Sequence, residues 1–171
     1  GAVLKQTPTI VTPTGVAGLS FLDEADAINS YVPELKEKGV HAIVVLIHQG
    51  AFQTNYPGAT DPTRPGPDVS TDIVRIVQRL DDEIDVVVSG HAHQFTNTLL
   101  TNNNGKQILV TQSFSAGTAY GDIDLEIDRA TRDVVAKTAS IITTFGDAGP
   151  GLTPDVKAAE LAAKAAEKVA P

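Results

Sequence analysis

The sequence predicts an α/β fold built on a parallel sheet, and three observations carry that reading. Residues 42–47 are a continuous apolar run of strand length, and residues 84–88, apolar but for Asp85, read as another strand of the kind buried on both faces. Between them Val69, Ile73, Ile76, Val77 and Leu80 recur at helical spacing, so strand, helix and strand form a parallel unit with a right-handed crossover. After residue 93 the pattern turns to short β-type segments separated by turn residues.

Taken in order, Thr9-Ile10-Val11-Thr12 is β-branched and flanked by Pro8 and Pro13, which predicts an edge strand. Asp23 is placed to cap a helix carrying Ala25, Ile28, Val32 and Leu35 on one face, with Gly39 as its stop. Pro33 interrupts that helix and predicts a kink or restart near Tyr31. Residues 51–68 hold Pro57, Pro62, Pro65 and Pro67 and form a long loop expected to border the site. The second helix is expected to start from Asp68 or Ser70. Thr96–Leu100 and Gln107–Thr111 flank Asn102-Asn103-Asn104-Gly105 and predict a hairpin. Residues 122–128 alternate acidic and apolar and predict a half-exposed strand, answered by residues 134–144. The tail, 154–169, is an Ala-, Lys- and Glu-rich helix with a thin apolar face. The division is thus residues 1–150 as a domain and 151–171 as a helical linker or tail.

With 13 basic and 21 acidic residues the chain carries a net charge of −8, which excludes a general binder of nucleic-acid polymers. It does not exclude a small phosphorylated substrate, since bound cations invert the local field. The absence of cysteine removes disulfides, thiolate catalysis and Cys-ligated zinc. No run approaches the ~20 apolar residues of a membrane span.

The chemistry should sit at the carboxyl ends of the two parallel strands, where ligands bind in open α/β sheets. Three of the four histidines fall there: His48 after the first strand, and His91 and His93 after the second. Alone, His48 could be a hydrogen-bonded loop residue. Together with Gly90-His91-Ala92-His93 it predicts a convergent imidazole cluster suited to zinc, manganese or a similar ion. His41 opens a strand rather than ending one, and is expected to be a surface residue. The acids at 122–128, 23–26 and 81–83 suit solvated faces and turns, not metal ligation.

At these residues the sequence resembles a known family. Val45-Leu46-Ile47-His48-Gln49-Gly50, followed about forty residues later by Asp85-Val86-Val87-Val88-Ser89-Gly90-His91-Ala92-His93-Gln94, is similar to the last two metal motifs of the calcineurin-like metallophosphoesterases. Residues 7–24 and 117–128 resemble the bacterial 5′-nucleotidase and 2′,3′-cyclic phosphodiesterase branch. The resemblance covers residues 1–145. It implies the C-terminal half of a two-sheet sandwich flanked by helices, with His48 and His91 on one ion, His93 on the other, and two divalent ions in the complete domain. It also implies metal-assisted hydrolysis of nucleotides or small phosphoesters, outside the cell, in the periplasm or at the cell wall. The family's Asp-x-His and Asn-His motifs do not occur here. The isolated chain is therefore expected to be inactive, with no catalytic or substrate-binding residue of its own assigned. Missing partner strands predict exposed apolar surface and dimerisation or domain swapping. The competing reading is a self-sufficient, non-catalytic metal-binding or interaction module. A third is a single-metal hydrolase using the three histidines directly.

Overall fold

The computed structural model describes residues 1–54, 69–144 and 153–169. A four-stranded mixed sheet forms the centre, in the order β1 (Ile43–Ile47), β4 (Ile84–Ser89), β6 (Gln107–Ser113), β5 (Phe95–Thr101). β1, β4 and β6 run parallel, and β5 returns antiparallel to β6 as the predicted hairpin. The α/β reading holds.

One face of this sheet is covered by helices. α2 (Glu24–Asn29), α3 (Val32–Glu37) and α4 (Asp72–Gln78) contribute Ala25, Val32, Ile73, Ile76 and Val77 to a core shared with Ile43, Val45, Ile47, Ile84, Val87, Ile108 and Val110. Asp23 caps α2 as expected, accepting from the Asp26 amide at 3.2 Å. The chain restarts at Tyr31 with Pro33 in the first turn of α3, and ends that helix at Gly39, whose φ is +71°.

The other face meets a separate two-stranded sheet, β7 (Ala119–Ile127) and β8 (Val134–Thr143). Ile123, Leu125 and Ala139 pack there on Val86, Leu99 and Leu109, while Asp122, Asp124 and Glu126 point to solvent. Asp85, almost fully buried, joins the layers. Its Oδ1 lies 3.2 Å from Lys106 Nζ and 3.6 Å from Lys137 Nζ, and its Oδ2 accepts from the Ile43 amide at 3.2 Å.

Three expectations are corrected. β1 is buried on one face only: Ile43, Val45 and Ile47 point into the helix layer, but Val44 and Leu46 are 46% and 58% exposed. The register explains why. Val44 pairs with Val86 and Leu46 with Val88, so both lie on the sandwich face, where the two-stranded sheet leaves them exposed. The apolar surface expected from missing partner strands is therefore present.

Residues 9–12 are not a strand. Thr7–Ile10 forms one helical turn, α1, and Pro13–Val16 a 3-10 turn. Proline at each first turn favours this, and the Thr7 and Thr9 hydroxyls donate to the carbonyls of Leu4 and Gln6, closing local turns. The chain meets β1 earlier, through a parallel bridge between Ala2 and Ile47.

α4 starts at neither Asp68 nor Ser70. Val69–Ser70 is a short strand, β3, paired with β2 (Phe52–Gln53), and the cap position is Thr71 at φ +98°. Its hydroxyl donates to the Gly50 carbonyl at 2.8 Å instead of capping the helix. Asp68 and the rest of the long loop from 55 onward lie outside the described residues. The tail helix α5 (Val156–Val169) forms as expected and buries no residue. No helix among the described residues is long and apolar enough to cross a membrane.

Candidate metal centre

The segments after β1 and β4 meet at the carboxyl edge of the sheet. His48 Nε2 and His91 Nδ1 are 3.3 Å apart, with ring centroids separated by 5.0 Å and the planes inclined at 72°. His93 lies on the same segment as His91 and is exposed, but the three ligand nitrogens do not all fall within 4.8 Å of one another. The structure thus brings two of the three predicted histidines into contact and sets the third apart.

The backbone is shaped for this approach. A Cβ on Gly50 would sit 2.2 Å from Ala92 Cβ and 2.7 Å from its amide nitrogen, so only glycine allows the two segments to touch. His91 and His93 adopt φ of +79° and +52°, a left-handed conformation costly for non-glycine residues and concentrated at functional sites. Gln112, fully buried on β6, ties the segments from beneath: its Nε2 donates to Ala51 O at 3.1 Å and to Gln94 O at 3.0 Å. Ser89, ahead of Gly90, donates to Thr111 O at 3.0 Å and anchors the end of β4.

The donor set fits a divalent ion. Tetrahedral zinc with imidazole bonds of ~2.0–2.1 Å places two ligand nitrogens about 3.3 Å apart. The observed separation matches that edge. Among the described residues no carboxylate completes a three-ligand cluster with His48 and His91. Such an edge can hold an ion through neutral imidazoles but supplies no anionic ligand of its own.

Sequence reasoning missed Gln112, Gly50 and Thr71. Gly50 was visible beside His48, but its contact is set by Ala92, about forty residues away. It also missed that His41, Glu83 and Asp133 come together. His41 is half-buried rather than freely exposed, with 32% of its side-chain surface accessible.

No family model matches the chain. Over 164 residues it is 36% identical to endonuclease YhcR of Bacillus subtilis, spanning 96% of this chain but 12% of that protein. It is 34% identical over 148 residues to cell wall protein Lmo0130 of Listeria monocytogenes, 84% of this chain and 18% of that one. Among solved structures, the 5′-nucleotidase precursor of Thermus thermophilus superposes with a TM-score of 0.61 at 26% identity, over 88% of this chain and 28% of that one. The calcineurin-like phosphoesterase YfkN of Bacillus subtilis gives 0.60 over 81% and 42%, and at 20% identity speaks for the fold alone. The chain spans less than a third of each of the first three. It has the calcineurin-like phosphoesterase fold, and in sequence and structure it resembles the C-terminal half of that catalytic domain on the 5′-nucleotidase branch.

Proposed function

We propose that this chain is part of a metal-dependent hydrolase of nucleotides or small phosphoesters, to which it contributes His48 and His91 as ligands of one divalent ion and His93 as a ligand of a second. The 3.3 Å separation of the His48 and His91 ring nitrogens carries this reading. Bound zinc, manganese or a similar ion would neutralise charge on the phosphoryl oxygens during in-line attack by water. The chain's own residues fix the imidazoles. Gly50 lets the two segments close, Gln112 holds them from below, and the left-handed backbone at His91 and His93 sets the path of the segment that carries both. The anionic ligands come from elsewhere in the whole protein, so the isolated chain binds metal without turnover.

Residues 1–150 serve as the partial catalytic domain, and 151–171 as a helical connector, in keeping with a tail helix that buries nothing. The exposed Val44–Leu46 face takes further strands in the whole protein and self-associates in the isolated chain. Likeness to a Listeria protein named for the cell wall supports a location at the cell surface.

The test titrates Zn²⁺ and Mn²⁺ into chelator-stripped chain and into His91→Ala, and assays the whole protein on nucleoside monophosphates and cyclic esters. The expected result is loss of one equivalent in the variant, and metal-dependent hydrolysis by the whole protein only. A well-folded whole protein inactive on all these substrates would refute the hydrolase and leave the non-catalytic module. Turnover by this chain, abolished in His91→Ala, would establish the single-metal alternative instead.

A further inference from the structure

We propose a second divalent-cation site at His41, Glu83 and Asp133, at the end of the sheet opposite the His48–His91 edge. His41 precedes β1, Glu83 precedes β4 and Asp133 precedes β8, so three separate elements each deliver one donor. His41 Nδ1 lies 3.8 Å from Glu83 Oε2 and 3.8 Å from Asp133 Oδ1, and all three donor atoms fall within 4.8 Å of one another.

The donors are available. Lys36 Nζ contacts the other oxygen of Glu83, Oε1, at 2.6 Å, which leaves Oε2 turned to His41. Arg132, the neighbour of Asp133, donates to the Gly39 carbonyl at 3.4 Å. Charge favours a cation. The carboxylates of Glu83, Asp81 and Asp133 all act on Lys36, whose pKa they raise, with Glu83 the strongest through its hydrogen bond. One ammonium cannot match three carboxylates.

Geometry favours one too. Bonds of ~2.0–2.2 Å to zinc bring donors to about 3.3–3.6 Å. The two distances from His41, 3.8 Å each, need to contract by only a few tenths of an ångström. Asp133, with 54% of its side chain accessible, can make that adjustment. One imidazole with two carboxylate oxygens suits zinc, cobalt or manganese. Water fills the remaining positions. An ion there joins the β7–β8 turn to the start of the parallel sheet, so its effect is structural, closing the two layers of the sandwich at the pole away from the histidine edge.

The experiment uses the untagged chain with His48→Ala, His91→Ala and His93→Ala combined, which removes the other candidate ligands and makes the result independent of the proposed catalytic site. Zn²⁺ is titrated calorimetrically and Co²⁺ by its visible absorption. The expected result is one saturable equivalent with a cobalt band, a raised unfolding midpoint, and shifts of the His41 imidazole resonances on adding Zn²⁺. Adding His41→Ala, or separately Asp133→Asn, should abolish that equivalent, with far-UV circular dichroism checking that each variant is folded. If His41→Ala fails to fold, Asp133→Asn decides alone. No saturable uptake, or uptake unchanged by both substitutions, overturns the site and leaves His41 as an ion-pair partner only.

Discussion

Replacing Gly50 with alanine tests how the histidine edge is held together. The new methyl carbon would lie 2.2 Å from Ala92 Cβ, 2.7 Å from Ala92 N and 3.0 Å from Ala92 Cα. Carbon atoms in contact settle at ~3.5–4.0 Å, so the segments must part by about 1.3 Å or more. None of the three obstructing atoms belongs to a flexible side chain. His48 sits two residues before Gly50 and His91 one before Ala92, so the displacement reaches the rings, now 3.3 Å apart. Even half of it carries them past the ~3.3 Å edge of a tetrahedral ion. Overpacking of this kind costs about 1–3 kcal/mol of stability. Disturbing the support of metal ligands typically weakens affinity about 10–100-fold. Urea unfolding and zinc titration read the two effects separately. Gly15→Ala is the control, since nothing lies within 4 Å of its added methyl. Equal zinc affinity for the two variants would refute the reasoning. A Gly50→Ala protein that is destabilised but binds normally would reduce the contact to packing and disconnect it from the imidazoles.

Asp85→Ala should cost about 3–5 kcal/mol, because it leaves the largely buried Lys137 without its counter-charge; urea unfolding showing a loss below 1 kcal/mol would contradict this. Hydrogen bonding from Arg79 holds the Asp23 carboxyl below its ordinary range, and Asn102 and Asn104 do the same for Asp82. Folded values depressed below the ~3.9 of an unfolded aspartate contribute stability that is complete above that pH and is lost as pH falls through the folded values. Thermal scans from neutral pH to about pH 2.5 should therefore show the midpoint dropping below about pH 4, less steeply in Asp82→Asn. Leu46→Glu places a charge on a side chain that is 58% exposed, and should shift sedimentation toward monomer while changing stability within about 0.5 kcal/mol. Unchanged association would remove the Val44–Leu46 face from consideration.

The parallel unit was legible because burial on a helix-covered sheet leaves a plain record: Ile84 and Val86–Val88 are apolar on either side of Asp85, and Ile73, Ile76 and Val77 keep helical spacing. The hairpin at Asn102–Gly105 and the alternating strand at 122–128 were legible for equally local reasons. The apolar run at 43–47 misled about burial, since hydrophobic content reports what a strand is built to contact and not which contacts this chain supplies. Residues 9–12 mislead because their β-branching favours a strand, whereas the prolines on either side and the threonine hydroxyl bonds close local turns. Of the site, the histidine motifs could be read from strand ends. The parts that set its geometry could not: Gln112 and Ala92 act across sequence distance, and the meeting of His41 with Asp133 depends on where a hairpin turn lands.

The exposed face and the histidine edge are consequences of one fact, that β1 lies at the border of the sheet. Along β1 the odd-numbered residues enter the helix core and the even-numbered Val44 and Leu46 face the sandwich side. His48 follows at the next even position, and its amide still donates to Ala2 O at 3.0 Å, so the pairing with the N-terminal segment reaches the histidine itself. A segment packing over Val44 and Leu46 therefore arrives beside His48 as well. Burial of the apolar face and delivery of the anionic ligands then become one event, with metal affinity and sandwich closure linked in free energy. In the whole protein, Leu46→Glu should weaken metal binding though it touches no ligand, whereas in the isolated chain it should leave zinc affinity alone. Equal behaviour in both would separate the two features and show that the ligands arrive by another route.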